Sequence, residues 1–171
     1  YEDLVGVIRR LNAERERRGQ PALIDTPLLV TMVVSVKYSR RELPRERAKL
    51  YDACVDVILN SEYTGREDDA GAHRGMVGAG GPPDKQREWL SHLAFQMHRG
   101  GQAGASLDES GVRAILTPVF EKRGELALLS PFLASAGHRG GLFGERAGRF
   151  QFAHLTFQEY FAAKYVTTLG R

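Results

Sequence analysis

Apolar side chains recur at helical spacing at the start of the chain. Leucine, valine and isoleucine repeat every three or four positions over residues 4–11, which predicts an amphipathic helix. The segment Gly19–Pro21 predicts the end of this helix. A second helix is predicted to begin at Pro27, because the first helical position does not use the N–H that proline lacks. Asp25 or Thr26 supplies a side-chain oxygen that can cap it.

The next two apolar segments extend this helical region. Residues Leu28–Val36 are apolar almost all round, which predicts that the second helix is buried on every side. Pro44 predicts the start of a third helix. One face of that helix carries Leu50, Cys54, Val57 and Ile58. We therefore predict a helical domain over residues 1–63.

A glycine-rich segment separates the two halves of the chain. Between residues 64 and 83, six glycines precede Pro82 and Pro83, with charged residues scattered among them. Such a segment buries too little apolar surface to offset the conformational entropy that is lost on ordering. We predict a flexible loop or linker over residues 64–83.

Helical spacing resumes in the second half. Apolar positions predict three helices between residues 84 and 136 and a further helix near the end of the chain. Ser106 with Glu109 predicts a capping box for one of the three. Thr156 with Glu159 predicts another, at the start of the last helix.

One stretch of the second half alternates with a period of two instead. Residues Gly141–Phe143 and Phe150–Phe152 flank a glycine-bounded turn over 144–148, which predicts a β-hairpin. Helices followed by a two-stranded wing and a further helix form a winged-helix arrangement, here over residues 84–171. The predicted fold class is mainly α: a helical domain followed by a winged-helix domain with a short β-hairpin.

Composition narrows the class of protein. The chain has 171 residues and a net charge of +3, and all but five of its 24 basic residues are arginine. This use of arginine, with abundant glycine and alanine, indicates a GC-rich bacterial genome. The small positive charge permits nucleic acid as a partner without favouring it. No apolar run approaches the ~20 residues of a membrane helix, and the single cysteine, Cys54, indicates a cytoplasmic protein without disulfides.

The sequence lacks the common motifs of nucleotide hydrolysis, metal binding and nucleophilic catalysis. Gly-Lys never occurs as a dipeptide, so there is no P-loop. No serine lies in a Gly-x-Ser-x-Gly elbow. The histidines, none of them at metal-ligand spacing, are His73, His92, His98, His138 and His154. We predict no catalytic residue, no metal ligand and no enzymatic activity in this chain.

Pro27 and His154 remain as candidate binding residues. The ring of Pro27 either serves only to start the helix or also packs against a flat apolar ligand such as a nucleobase. His154 shares a strand face with Phe150 and Phe152, which favours a hydrogen-bonded position in the core. It also lies two residues before Thr156, where an imidazole N–H could join the backbone amides of the last helix in binding an anion. The residues alone leave both alternatives open at each position.

The block Gln151–Ala163, QFAHLTFQEYFAA, strongly resembles the C-terminal part of a NACHT module. Two earlier segments, Thr26–Leu29 and Leu43–Tyr51, occur in the order expected of that module. The matching segments together span most of the chain from about residue 20 onward. NACHT modules belong to the STAND class of signal-transducing NTPases, which includes animal NOD-like receptors and bacterial defence proteins.

The resemblance implies that Pro27 and His154 bind nucleotide in the intact protein. In such proteins the proline contacts the adenine side, and the histidine contacts the β-phosphate of ADP in the closed, inactive state. The resemblance also implies an upstream P-loop domain of the same chain, which binds ADP or ATP with Mg²⁺, and no cofactor for this fragment alone. Exchange of ADP for ATP is then expected to release the winged-helix part and permit self-assembly for signalling.

Two other functions stay open. A winged helix often binds nucleic acid, and its recognition helix would here be Leu107–Lys122, with Arg146 and Arg149 on the wing. That helix also carries acidic residues, which disfavour contact with phosphates. The last possibility is a scaffold or oligomerisation piece, in which Pro27 and His154 are structural only.

Overall fold

The computed structural model describes residues 4–19, 22–39, 42–64, 80–101, 104–136 and 142–169. The chain divides into two compact units, Tyr1–Val57 and Ile58–Arg171, and each is described by itself. Most of the predicted linker 64–83 lies outside the described residues. The linker and the domain limits 1–63 and 84–171 therefore stay predictions.

The first unit is helical. It holds α1 (Leu4–Glu16), α2 (Pro27–Tyr38) and the first part of α3 (Arg47–Thr64). The predicted start of the third helix at Pro44 is wrong, because the first backbone hydrogen bond of α3 runs from the Leu50 amide to the Glu46 carbonyl. The buried face of α3 also differs from the prediction. It carries Leu50, Cys54, Val55 and Leu59.

Helix α2 begins as its sequence predicts. Thr26 is the N-cap, its hydroxyl accepts a hydrogen bond from the Leu29 amide at 3.3 Å, and Pro27 occupies the first helical position. The prediction of burial on every side is wrong, because Val30 is 39% exposed. The buried positions follow helical spacing on one face: Leu29, Met32, Val33 and Val36. In the described ranges, no helix is long and apolar enough to cross a membrane.

Side-chain hydrogen bonds hold the loop that leads into α2. The Asn12 side-chain oxygen accepts from the amides of Leu23 and Ile24 at 2.9 and 3.0 Å, and its Nδ2 donates to the Ile24 carbonyl at 2.8 Å. Arg47 donates to the Leu23 carbonyl at 3.3 Å. These bonds satisfy backbone groups that have no partner in a helix or sheet. They fix the approach of the chain to Pro27.

The second unit has the element order of a winged helix followed by one more helix, as predicted. Its elements are α4 (Pro83–Arg99), β1 (Leu107–Asp108), α5 (Glu109–Lys122), a 3₁₀ turn (Leu126–Leu128), α6 (Leu129–Ala136), β2 (Phe143–Arg146), β3 (Arg149–Phe152) and α7 (Leu155–Leu169). Helix α7 packs along α4. The mainly helical fold class with a winged-helix domain is confirmed.

The three strands form one antiparallel sheet in the order β1-β3-β2. Strands β2 and β3 form the predicted hairpin, but the predicted turn over 144–148 is too long, because residues 144–146 belong to β2. The two-residue turn, Ala147–Gly148, has positive φ at both positions, which suits the twist of the paired strands. The prediction of a capping box formed by Ser106 and Glu109 is wrong. Leu107 belongs to β1, and the α5 cap is Asp108, which accepts from the Gly111 amide at 2.8 Å. This hydrogen bond lowers the pKa of the Asp108 carboxyl.

A chain of aromatic rings forms the core of the second unit. The rings of Trp89 and Phe120 stack at 4.3 Å between centroids, and successive contacts lead from Trp89 on α4 through the hairpin to α7. The remaining members, in order, are Phe132, Phe143, Phe152 and Phe161. Since aromatic residues bury large areas and favour defined ring geometries, this chain of contacts fixes the corner between β3 and α7.

Cys54 lies in the core and is 2% exposed. Burial raises the pKa of its thiol to about 11, because an apolar surrounding disfavours the thiolate. The side chain therefore behaves as a small apolar residue rather than as a nucleophile.

Replacing Gly81 with alanine tests how tightly the Trp89 ring is packed. A Cβ at Gly81 would lie 2.8 Å from the ring, whereas one at Gly124 would meet nothing within 4 Å; φ is +88° at Gly81 and +68° at Gly124. Both substitutions carry backbone strain, and only Gly81→Ala adds overpacking, which costs typically about 1–3 kcal/mol. We expect chemical denaturation to show Gly81→Ala less stable than Gly124→Ala by about that amount. Equal losses would contradict the tight packing.

The reactivity of Cys54 tests its burial. It is the single cysteine of the chain, so a thiol reagent reports on one site. A rise in pKa from 9.0 to about 11 lowers the thiolate fraction at pH 8 about 100-fold. We expect alkylation at pH 8 to be slower by at least that factor in the folded chain than in denaturant. Similar rates in the two conditions would show that the thiol is accessible.

Candidate functional site

His154 lies at the corner between β3 and α7 and caps the helix. Its carbonyl accepts hydrogen bonds from the amides of Phe157 and Gln158 at 3.0 and 3.4 Å. Its ring atom Nδ1 accepts from the Thr156 amide at 3.2 Å and contacts the Thr156 hydroxyl. Helix α7 begins at Leu155, so Thr156 is inside the first turn. The predicted capping box of Thr156 with Glu159 is therefore wrong, because the histidine takes the capping position itself.

This cap determines which ring nitrogen of His154 is available to a ligand. Because Nδ1 accepts a hydrogen bond from the Thr156 amide, the neutral ring carries its proton on Nε2. His154 is exposed, while Phe150 and Phe152 are buried. The interpretation of His154 as a core residue is wrong, since β3 ends at Phe152 and strand alternation no longer applies beyond it. An exposed Nε2–H donor remains.

A small pocket lies against the start of α7. It has a volume of about 200 Å³ and is lined by residues 104–105, by residues 151–155 and by Gln158. This volume is below the roughly 300–1,000 Å³ of common small-molecule sites, so the pocket fits one chemical group and not a whole nucleotide. No acidic side chain is among the described residues that line it. Its donors and the positive end of α7 suit an anionic group such as phosphate.

Gln158 is a buried polar residue of this pocket that the sequence analysis missed. Its side chain is 1% exposed, and its Oε1 accepts from the Gly104 amide at 2.8 Å. Its Nε2 has no hydrogen-bond partner among the described residues. A sequence signal exists, because Gln158 follows His154 by four positions and so shares its side of the helix.

The structure corrects the expected role of the helix amides. The amides of Thr156, Phe157 and Gln158 all donate to His154, either to its ring or to its carbonyl. They are therefore not available to an anion in this arrangement. Anion binding here would need other donors, among them the Nε2–H of His154.

Pro27 is the first residue of α2, which confirms its predicted helix-starting position, and it is exposed. Its carbonyl accepts a hydrogen bond from the Thr31 hydroxyl at 3.0 Å, and its ring is accessible to a ligand. Pro27 belongs to the first compact unit and His154 to the second. The two are therefore separate candidates, each defined by its own surroundings.

The other histidines form no metal site in the part of the chain that the structure describes. No group of three His, Cys, Asp or Glu residues there could hold a metal ion. His92 packs against Tyr165, and burial lowers the pKa of its imidazole. His73 and His138 lie outside the described residues.

In the described part of the winged helix, the helix in the recognition position carries no basic residue. Helices α5 and α6 form the helix-turn-helix, so α6 takes the place of the recognition helix, and the prediction of Leu107–Lys122 for that role is wrong. Helix α6 has the sequence LSPFLASA, without a basic residue. On the neighbouring elements, Arg113 pairs with Glu109 at 2.7 Å and Arg149 bonds to Ser106. This surface gives little attraction for phosphates.

Comparison with known proteins identifies the family. No curated protein and no solved structure matches the chain. Residues 47–166 match the family described as "Winged helix-turn-helix domain C-terminal to NACHT", a kind of domain that is not itself catalytic. The match begins at the first residue of α3 and ends within α7. The chain therefore belongs to the family of winged helix-turn-helix domains that follow a NACHT domain.

Proposed function

We propose that this chain is the regulatory C-terminal part of a NACHT-type NTPase and closes over ADP in the inactive state. The observation that carries the proposal is the exposed imidazole of His154. Its Nδ1 accepts a hydrogen bond from the Thr156 amide, and the residue lines a pocket of about 200 Å³. Family membership supports the proposal, because the family's domain follows a NACHT domain in the chain.

His154 would hold the terminal phosphate of ADP. Its Nε2–H donates to a phosphate oxygen, and the cap at Thr156 prevents the ring from turning that donor away. Hydrogen bonds to a charged group contribute about 1.5–3 kcal/mol, or roughly 10- to 150-fold in an equilibrium constant. Reversing a closed-to-open ratio from 99:1 to 1:99 requires about 5.5 kcal/mol. His154 therefore biases closure and needs further contacts to control it fully.

Pro27 would contact the adenine side of ADP. Its exposed ring stands at the rigid start of α2, and the loop before it is fixed by Asn12 and Arg47. A ring held in this way loses little entropy when a flat base packs on it. The upstream NACHT domain would bind the phosphates with Mg²⁺ and carry any hydrolysis.

The nucleotide would control the conformation through its different contacts in the two states. A ligand shifts an equilibrium only by its differential affinity. ADP would favour the closed state through His154, and exchange for ATP would release the winged-helix part. Release would expose surfaces for self-assembly and signalling, in the cytoplasm and as part of a defence response.

Substitution of His154 tests the phosphate contact. His154→Ala removes both the cap and the donor, whereas His154→Asn keeps a capping oxygen and loses the reach of Nε2. In the full-length protein we expect both variants to release ADP at least about tenfold faster, since each loses a hydrogen bond to a charged group, and to favour the signalling state. Thermal unfolding should show a cap loss of about 1 kcal/mol in His154→Ala alone. The measurements are the dissociation rate of labelled ADP and the unfolding curve.

Two outcomes would contradict this role. Unchanged ADP dissociation and unchanged signalling in both variants would leave His154 without a part in nucleotide binding. Faster dissociation in His154→Ala only, with His154→Asn resembling the unchanged protein, would assign the effect to the lost helix cap.

A further inference from the structure

Gln158 presents a buried donor that nothing in the described chain uses. Its side chain is 99% buried and lines the pocket beside His154, and its Nε2 lacks an acceptor among the described residues. A buried N–H without an acceptor destabilises the folded state, because it has lost its bonds to water. Because the residue lines the pocket, a ligand that reaches this atom there would supply the missing acceptor.

The hydrogen bond from Gly104 fixes the direction of the amide group. The Gly104 N–H donates to Oε1 of Gln158 at 2.8 Å. Exchanging the oxygen and nitrogen of the side chain would set two N–H donors against each other. Nε2 is therefore held as a donor, and the ligand must bring an oxygen that accepts.

We propose that Nε2 of Gln158 is a second donor to the phosphate group bound by His154. This inference rests on the proposed function for the identity of the ligand as the terminal phosphate of a nucleoside diphosphate. Gln158 lies four residues after His154, in the first turn of α7, and both residues line the same pocket. The pocket brings no acidic side chain from the described residues, so an anion meets donors without a repelling charge.

The two donors, His154 and Gln158, have different roles in binding the phosphate group. His154 is exposed and contributes its Nε2–H from the corner before α7. Gln158 is neutral and buried, and its position depends on the Gly104 loop on the other wall of the pocket. A phosphate oxygen bonded to Gln158 thus joins the start of α7 to that loop.

The test uses Gln158→Glu in the full-length protein. Glutamate has nearly the shape of glutamine and keeps an oxygen for the Gly104 amide, but replaces the Nε2 donor with an oxygen. The matched control is Gln86→Glu, at another buried glutamine that does not line the pocket. The Nε2 of Gln86 donates a hydrogen bond to the Gly81 carbonyl at 2.8 Å. Both changes bury a new carboxyl group, so both destabilise the fold. Only the first alters the pocket.

Affinities for ADP, AMP and inorganic phosphate separate binding from folding. We expect Gln158→Glu to weaken ADP binding at least tenfold and AMP binding less than twofold, because AMP lacks the terminal phosphate. Gln86→Glu should change the two affinities by less than twofold. Gln158→Met removes both the donor and the oxygen bonded to the Gly104 amide, without adding charge. It should also weaken ADP binding more than AMP binding, and it replaces the glutamate variant if that variant does not fold.

The outcomes distinguish this inference from the proposed function. ADP binding weakened by His154→Asn and unchanged by Gln158→Glu and Gln158→Met would overturn the role of Gln158 alone. Equal weakening of ADP and AMP would make Gln158 structural and overturn it as well. The Gln158 variants could lose stabilisation by inorganic phosphate while ADP binding is unchanged in the variants of both Gln158 and His154. In that case the pocket binds free phosphate, and the assignment of the ligand as a nucleotide is overturned. No effect of either residue on any of the three ligands would overturn both proposals.

Discussion

The hydrogen bond from the Thr156 amide to Nδ1 of His154 is the interaction on which the candidate site depends. It caps α7, and it assigns the proton of the neutral imidazole to Nε2. The same bond occupies the helix amide that would otherwise face an incoming anion. One local contact therefore converts a helix terminus into a side-chain donor site beside a small pocket.

The rest of the second unit holds this corner in place. The aromatic contacts lead from Trp89 across the hairpin to Phe161 on α7, so the position of His154 is set by packing on both sides of the β3–α7 corner. The small sheet adds the pairing of Leu107 with Phe150. The Gly104 amide then reaches Gln158 from the segment just before β1. Packing and two hydrogen bonds together shape the pocket, and a loosely packed corner could not do so.

Local features were predictable from the sequence, and features that depend on distant partners were not. The start of α2 follows from Pro27 with Asp25 or Thr26 before it, and the hairpin follows from alternation on both sides of a turn. Strand β1 has two residues and exists only because β3 pairs with it. The cap of α7 depends on the ring orientation of His154, which spacing does not encode. The burial of Gln158 depends on a loop 54 positions away in the chain.

The central claim is that Nε2 of His154 contacts nucleotide phosphate while Nδ1 stays bonded to the helix. A crystal structure of the full-length protein with ADP measures both distances directly. The account predicts a terminal phosphate oxygen within about 3.2 Å of Nε2 and the Thr156 amide still bonded to Nδ1. A phosphate contacted only by other elements, with the imidazole of His154 turned away from it, would contradict the account.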